Sequence, residues 1–256
     1  MKRETSLIHL STFPLLAVGL FFIALSIYNG LSIFAIIGTS LLFWSSILLY
    51  IRPSRLIPIT YLTTSTATAM SNIERLLTQL QTTKKGIYLP PKNLQDIESS
   101  LVYLPKTPKQ DLPQNREPQT TLFCEEDKGL LLTPPGAVLT KLYEQTAGTS
   151  FLKADFTYIQ TKIPELLTEK LEIAENVEIE KENNKITINI TGNIFQDDCR
   201  ESQKCPQAHY AVGCLLSSSL ACVLAKAIGK PVTIESEEHQ EDKKQTKIEY
   251  RVMEEA

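Results

Sequence analysis

Apolar residues fall into two regimes along this chain. Between Glu4 and Arg52 lie 47 residues without a charged side chain, including LLAVGLFFIALSIY and FAIIGTSLLFWSSILLYI; beyond them apolar positions recur only with the periods of amphipathic elements. As one helix the uncharged run would extend roughly 70 Å at about 1.5 Å per residue, against a bilayer core of about 30 Å. Asn29-Gly30 is a turn pair, so the pattern predicts two helices, near Leu7 to Tyr28 and Leu31 to Ile51, in an almost loopless hairpin. Contact with a lipid bilayer is expected through residues 7–51. Lys2 and Arg3 before the hairpin and Arg52 and Arg55 after it place both termini in the cytoplasm by the positive-inside rule. A cleaved secretory signal also begins basic and then apolar, but this apolar region is too long for one and a second follows directly. His9 and Ser11 have no acidic partner in either helix and read as groups at headgroup level rather than as a proton path.

After the hairpin, Ile73, Leu76, Leu77 and Leu80 predict a short amphipathic helix from Ser71 that ends near Gly86. Two similar phrases, GIYLPPK from Gly86 and LVYLPK from Leu101, read as short paired strands stopped by proline. Residues 107–120 hold three prolines and no apolar period, which makes them a linker. GLLLTPPGAVLTKLYEQ then reads as a strand, a Pro-Pro-Gly corner and a helix. In the last hundred residues a helix over Ile163 to Ile173 precedes two strands hinged at Asn183-Asn184. A helix over residues 206–228 precedes two more, and alternating Ile186, Ile188, Ile190 and Ile248, Tyr250, Val252 make the strands half buried. The expected fold class is α+β: a two-helix transmembrane hairpin, then a soluble domain with an antiparallel sheet and helices, its last hundred residues forming two αββ units. The divisions are residues 1–55 for the hairpin, 56–120 for the amphipathic helix, short strands and proline-rich loop, and 121–256 for a cytoplasmic α+β domain.

Charge narrows the partners. Of 26 basic and 29 acidic residues, four basic and one acidic fall in the first 55, so the remainder is six units negative. An acidic body without a nucleotide or RNA-reading motif argues against nucleic acid as a partner. On the helix at 206–228 one side carries Val212, Leu216, Leu220, Val223 and Leu224, and the other carries the small residues Cys214, Ser218, Ala221 and Ala225. A small-residue stripe admits another backbone closely, either the helix at 163–173 or a second copy of the chain, so self-association is among the expectations.

Candidate chemistry concentrates in 199-CRESQKCPQAHYAVGC-214, with three thiols and an imidazole. Cys199, Cys205, His209 and Cys214 supply the ligand types of a Cys3His zinc site, although C-x5-C-x3-H-x4-C is not a familiar finger or ribbon spacing. On a continuous helix His209 and Cys214 lie about 140° apart and cannot share an ion unless the helix starts after His209. Cys205 precedes Pro206 at a helix N-terminus, where unpaired backbone N–H groups favour thiolate, so a reactive thiol is a second reading and simple packing a third. Asp197-Asp198 and Cys199 are expected in the loop leading to that helix. Glu235, Glu237, Glu238, His239, Glu241 and Asp242 form an acidic turn that reads first as a solvated hairpin tip, with metal affinity as the second reading.

The pieces AVGCLLSSSLACVLAKAIGKPVTIE, GIYLPP and GLLLTPPG behind a membrane hairpin resemble a family of uncharacterised archaeal membrane-anchored proteins, a resemblance that assigns no activity. The run from the small-residue helix through Gly229-Lys230-Pro231 into strands is distantly similar to the tail of four-vinyl-reductase-type small-molecule-binding domains. The cysteine pair of those closing strands is missing from 246-TKIEYRVM-253, and no functional residue is carried over. The expected function is a membrane-anchored cytoplasmic binding, sensing or scaffolding module without evident catalysis. The alternative is a thiol- or zinc-dependent enzyme or regulator centred on Cys199 to Cys214.

Overall fold

A computed structural model describes residues 2–50, 59–81, 84–91, 100–106, 129–152, 154–240 and 244–253. The chain divides into two compact units, Met1–Pro58 and Ile59–Ala256. The linker at 107–120, together with Arg52, Arg55, Glu241 and Asp242, lies outside the described residues.

In the first unit α1 (Lys2–Asn29) and α2 (Ser32–Tyr50) pack side by side, reversing at Gly30, whose φ of 66° is left-handed. The two helices approach at glycines. A Cβ on Gly38 would lie 2.9 Å from the Gly19 carbonyl oxygen and 2.7 Å from Ile23 Cγ1. Phe21, Ile27, Tyr28, Ile33, Phe43 and Trp44 all point outward. The described apolar cores of these helices, Pro14–Asn29 and Ser32–Ile47, are each shorter than 18 residues. Among the described residues the segment that meets both the length and the hydropathy of a membrane span is Pro206–Ile228, and it is 89% buried inside the second unit. An apolar helix covered on all sides is a core element by that measure.

The second unit is built on one antiparallel seven-stranded sheet in the order β3-β2-β1-β6-β7-β5-β4. The strands are β1 (Ile87–Leu89), β2 (Leu101–Pro105), β3 (Gly129–Leu132), β4 (Asn176–Glu182), β5 (Lys185–Thr191), β6 (Val232–Gln240) and β7 (Gln245–Val252). The paired tyrosine phrases form β1 and β2, with Ile87 opposite Tyr103 and Tyr88 opposite Val102. β1 also joins β6, so the early strands extend the sheet made by the last hundred residues. The turn at Asn183-Asn184 sets β4 on β5, with Val177 opposite Ile190 and Ile179 opposite Ile188, all four buried. Inward isoleucines at every second residue pin this register, because a one-residue slip would expose them all.

Four helical expectations change. The amphipathic helix, α3 (Ile59–Leu80), starts twelve residues before Ser71. Its added turns are rich in threonine, a poor helix former, and the buried Thr66 and Met70 show that tertiary packing rather than propensity holds them. The helix expected at 163–173 begins earlier, as α5 (Phe156–Glu165), and ends in a π turn over Leu166–Lys170 after Pro164. A helix replaces the loop at Asp197-Asp198: α6 (Gln196–Ser202) carries both aspartates in its first turn, where its dipole favours them. The single helix at 206–228 is two, α7 (Pro206–Val212) and α8 (Leu215–Ile228). The break is Gly213, at φ 66° and ψ −176°, followed by extended Cys214.

Every residue of α8 from Leu215 to Ala227 is buried. One flank faces β1, β6 and β7, and the other is covered by α4 (Ala137–Ala147) and the corner before it. The small stripe is therefore filled within the chain. Gly136 lies so close that a Cβ would sit 2.0 Å from Ser219 N, and its own N–H donates to Ser218 Oγ at 3.0 Å. Three tyrosine hydroxyls then satisfy the polar start of α8 and fix the break. Tyr88 donates to the Val212 carbonyl at 2.5 Å, Tyr250 donates to the Ser217 carbonyl at 2.9 Å, and Tyr143 meets Ser219 Oγ at 3.2 Å. Burial pushes all three phenols above their ordinary pKa, so they remain hydrogen-bond donors.

Candidate metal centre

The break at Gly213 aims Cys214. Placed at the N-cap of α8 in extended conformation, its Sγ lies 2.7 Å from Cys199 Sγ on α6, fifteen residues away. The two thiols are free and fully buried. A continuous helix would have sent Cys214 elsewhere; the residue that allows this position is a glycine.

β6 delivers the other half of the cluster. Ile234 opposes Tyr250 and Ser236 opposes Glu249, so one residue, Glu235, is inserted as a bulge. A bulge shifts the alternation of the strand by one. Glu237 and His239 consequently point to the same side as Ile234, opposite the buried Ile248 and Thr246, instead of into solvent. The acidic hairpin tip expected from sequence is thus partly interior, with the Glu237 side chain only 4% exposed. His239 Nε2 lies 3.0 Å from Glu237 Oε1, and its Nδ1 is 3.1 Å from Thr246 Oγ1. His209, from α7, brings its Nε2 to 3.5 Å from Glu237 Oε2, close enough for an ion pair, yet neither atom makes a well-formed hydrogen bond. One ligand-type atom each from Cys199, Glu237 and His239 lie within 4.8 Å of one another, and the Cys214 thiol is directed at Glu237.

Electrostatics in this group are unusual for a protein interior. Burial alone would raise the Glu237 carboxyl, but His209, His239 and Cys214 all face it and together hold it well below the usual carboxylate range. Burial pushes the Cys214 thiol well up, helped by Cys199 and the Glu237 charge. Cys199 is raised as well: its contact with Cys214 works the other way, but burial and the charges of Glu237 and Asp198 outweigh it. Next to it, burial raises Asp198 to about 6, although that carboxylate accepts hydrogen bonds from the Leu215 N–H and Thr66.

Buried polar atoms are normally paired. Among the described residues four buried side-chain atoms lack a partner: Asn193 Nδ2, Asp198 Oδ2, His209 Nε2 and Glu237 Oε2. They gather here. Asn193 faces the Cys199 thiol, Asp198 precedes it on α6, and His209 and Glu237 face one another.

Of the residues singled out in the sequence, the structure brings Cys199 and Cys214 together and sets His209 one carboxylate away. Cys205 is not one of the converging groups. It is the N-cap of α7 and half buried, and the N-terminus it was expected to exploit is taken. Glu74 of α3 accepts the Ala208 N–H at 2.6 Å and the Gln207 N–H at 3.3 Å. Burial and the Glu74 charge raise the Cys205 thiol, the reverse of the activation that its position suggested. Cys222 is also separate, deep in α8, where burial lifts its thiol to about 12. Glu237 and His239 belong to the acidic turn for which a solvated tip is the first reading of the sequence and metal affinity the second. Their signal was the spacing of an acid and an imidazole two apart on a strand whose partner carries inward Thr246 and Ile248.

The chain belongs to the family described as Domain of unknown function (DUF7982), which it matches over residues 3–252. No curated protein and no solved structure matches it.

Proposed function

We propose that this protein is a membrane-anchored module whose body binds a zinc-type divalent cation through Cys199, Cys214 and His239, with Glu237 as the fourth ligand. The observation that carries the reading is the convergence of the Cys199 thiol, the Glu237 carboxylate and the His239 imidazole within 4.8 Å of one another, with the Cys214 thiol 2.7 Å from Cys199 and unpaired buried polar atoms around them. Two sulfurs with imidazole and carboxylate suit a borderline-soft ion that accepts tetrahedral coordination. His239 fits the role in detail: Nε2 faces the cluster, and Nδ1 reaches the Thr246 hydroxyl, the outer partner that orients a ligating histidine. Asn193 Nδ2 stands where it can donate to a Cys199 thiolate.

The cation would tie three elements that share no turn, so metal occupancy sets how firmly α6 and the start of α8 are held to β6. That coupling makes a sensing or binding role the natural use of the site. Anchoring rests on the uncharged stretch and on the outward apolar side chains of α1 and α2. The flanking basic residues favour cytoplasmic termini. X-ray absorption at the zinc edge of the loaded protein should show two sulfur neighbours with nitrogen and oxygen completing the shell. Three sulfurs, or none, would reject this ligand set. Flotation with liposomes after alkaline washing tests the anchor.

A further inference from the structure

We infer that the metal position held by Glu237 is exchangeable, and that a small oxyanion, a carboxylate or a phosphate group, enters through the cleft between α7 and β6 to take it. The inference rests on the metal-centre reading above. A cleft of about 310 Å³ opens between these elements. Its walls include Lys85, His209, Tyr210, Ile234, Ser236 and Glu237, and none of the residues lining it is Cys199, Cys214 or His239. Cys199 and Cys214 are buried, and His239, whose side chain is 13% exposed, does not line this cleft, whereas Glu237 does. A purely structural zinc site encloses all four ligands; a working site leaves one position that solvent or a ligand can reach.

Glu237 also has somewhere to go. Its Oε2 is buried without a hydrogen bond, and His209 Nε2, equally unpaired, waits 3.5 Å away on the cleft side. A small rotation of the carboxylate converts that contact into a hydrogen bond from the imidazole N–H and frees the coordination position. No bond other than the metal–oxygen bond is exchanged, and no electron moves.

The chemistry of the occupant follows from the cleft wall. Lys85 brings an ammonium group, steadied by donation to the Glu235 carbonyl and by lying 5.2 Å from the centre of the Tyr210 ring. Glu235 also lines the cleft, but its carboxylate is engaged by Arg251 at 2.6 Å, so a cation at the centre and the Lys85 ammonium together select an oxygen anion, and the volume admits only a small one.

Cobalt(II) replaces zinc in tetrahedral sites and reports ligand exchange through its visible bands. Full-length protein in detergent, loaded with cobalt, should bind acetate or inorganic phosphate with a saturable shift of those bands. The stronger of the two identifies which oxyanion class the cleft prefers. Lys85→Gln should bind cobalt normally and weaken the anion response about tenfold, the loss expected for one charge-assisted hydrogen bond. Cobalt uptake with bands that neither anion moves would overturn the exchangeable position while leaving the metal centre standing. An unchanged response in Lys85→Gln would overturn entry through this cleft. Failure to take up cobalt at all would overturn the centre and this inference with it.

Discussion

Replacing Gly213 with alanine tests the feature on which the site depends. Its backbone, at φ 66° and ψ −176°, lies in a region that residues with a Cβ enter at a cost of about 1–3 kcal/mol. The added methyl would sit 2.4 Å from Ser217 Oγ and 2.6 Å from Ile234 Cδ1. Both are movable side-chain ends, so relieving the overlap adds about 1 kcal/mol, comparable to mild overpacking. It also costs the Ser217 hydroxyl its 3.2 Å bond to the Cys214 carbonyl. The sum is about 2–4 kcal/mol, a large part of the stability of an ordinary domain. Gly148 provides the control. It is left-handed too, at φ 68°, but an added Cβ meets nothing within 4 Å, so G148A should lose only about 1 kcal/mol. Urea unfolding of the full chain in detergent, followed by circular dichroism, measures both. G213A should shift the midpoint much further than G148A and should weaken metal binding by displacing Cys214. Equal shifts for the two variants would mean that α7 and α8 run on as one helix, and the pairing of Cys214 with Cys199 would fall with the break.

Three further outcomes are expected. Gly136→Ala would place a methyl against the backbone of Ser218 and Ser219, which cannot yield as a side chain can, so α4 should detach from α8, with a loss of about 3 kcal/mol or more in thermal unfolding. Glu144 accepts hydrogen bonds from Lys226 Nζ, the Phe151 N–H and the Ser150 hydroxyl, each at 2.8 Å, and these outweigh the raising effect of its partial burial to leave its carboxyl below the ordinary value. A lowered folded pKa stabilises above the unfolded carboxylate range and loses that contribution as pH falls through the folded value. Wild type should thus exceed Glu144→Gln by about 1 kcal/mol at neutral pH, an amount discounted for partial exposure, and the gap should close below about pH 4 when unfolding is compared across pH. Because Cys199 and Cys214 are protonated thiols without a cation, zinc binding should release about two protons per chain, measured by calorimetry in buffers of different ionisation enthalpy.

Much of the sheet was legible in the sequence. Period-two isoleucines, the Asn183-Asn184 turn and the repeated tyrosine phrases gave β4 to β7 and the pairing of β1 with β2, because half-buried strands write their register into alternation. The joining of β1 to β6 was not legible, since it links residues about 145 positions apart and leaves no local mark. The helix at 206–228 misled for a physical reason. Its apolar residues continue through Gly213 without a change of period, and a lone glycine inside a helical pattern can be tolerated or can mark a break. Half the candidate centre was found as Cys199 and Cys214, where the thiols themselves are the signal. Glu237 and His239 sit in an acidic run that reads first as a solvated tip because of its charge; the bulge at Glu235, invisible in composition, turns them in. Cys205 was overrated because Glu74, 131 residues earlier, takes the helix terminus that would have activated it.

The most direct measurement of the metal centre is zinc content and affinity across single-cysteine variants of the full-length protein, purified in detergent and assayed against a chelating indicator. The wild type and Cys205→Ser should each hold one zinc per chain with equal affinity, whereas Cys199→Ser and Cys214→Ser should each bind at least about 100-fold more weakly. A wild type that binds no zinc, or a Cys205→Ser variant that loses it while Cys214→Ser keeps it, would contradict the account.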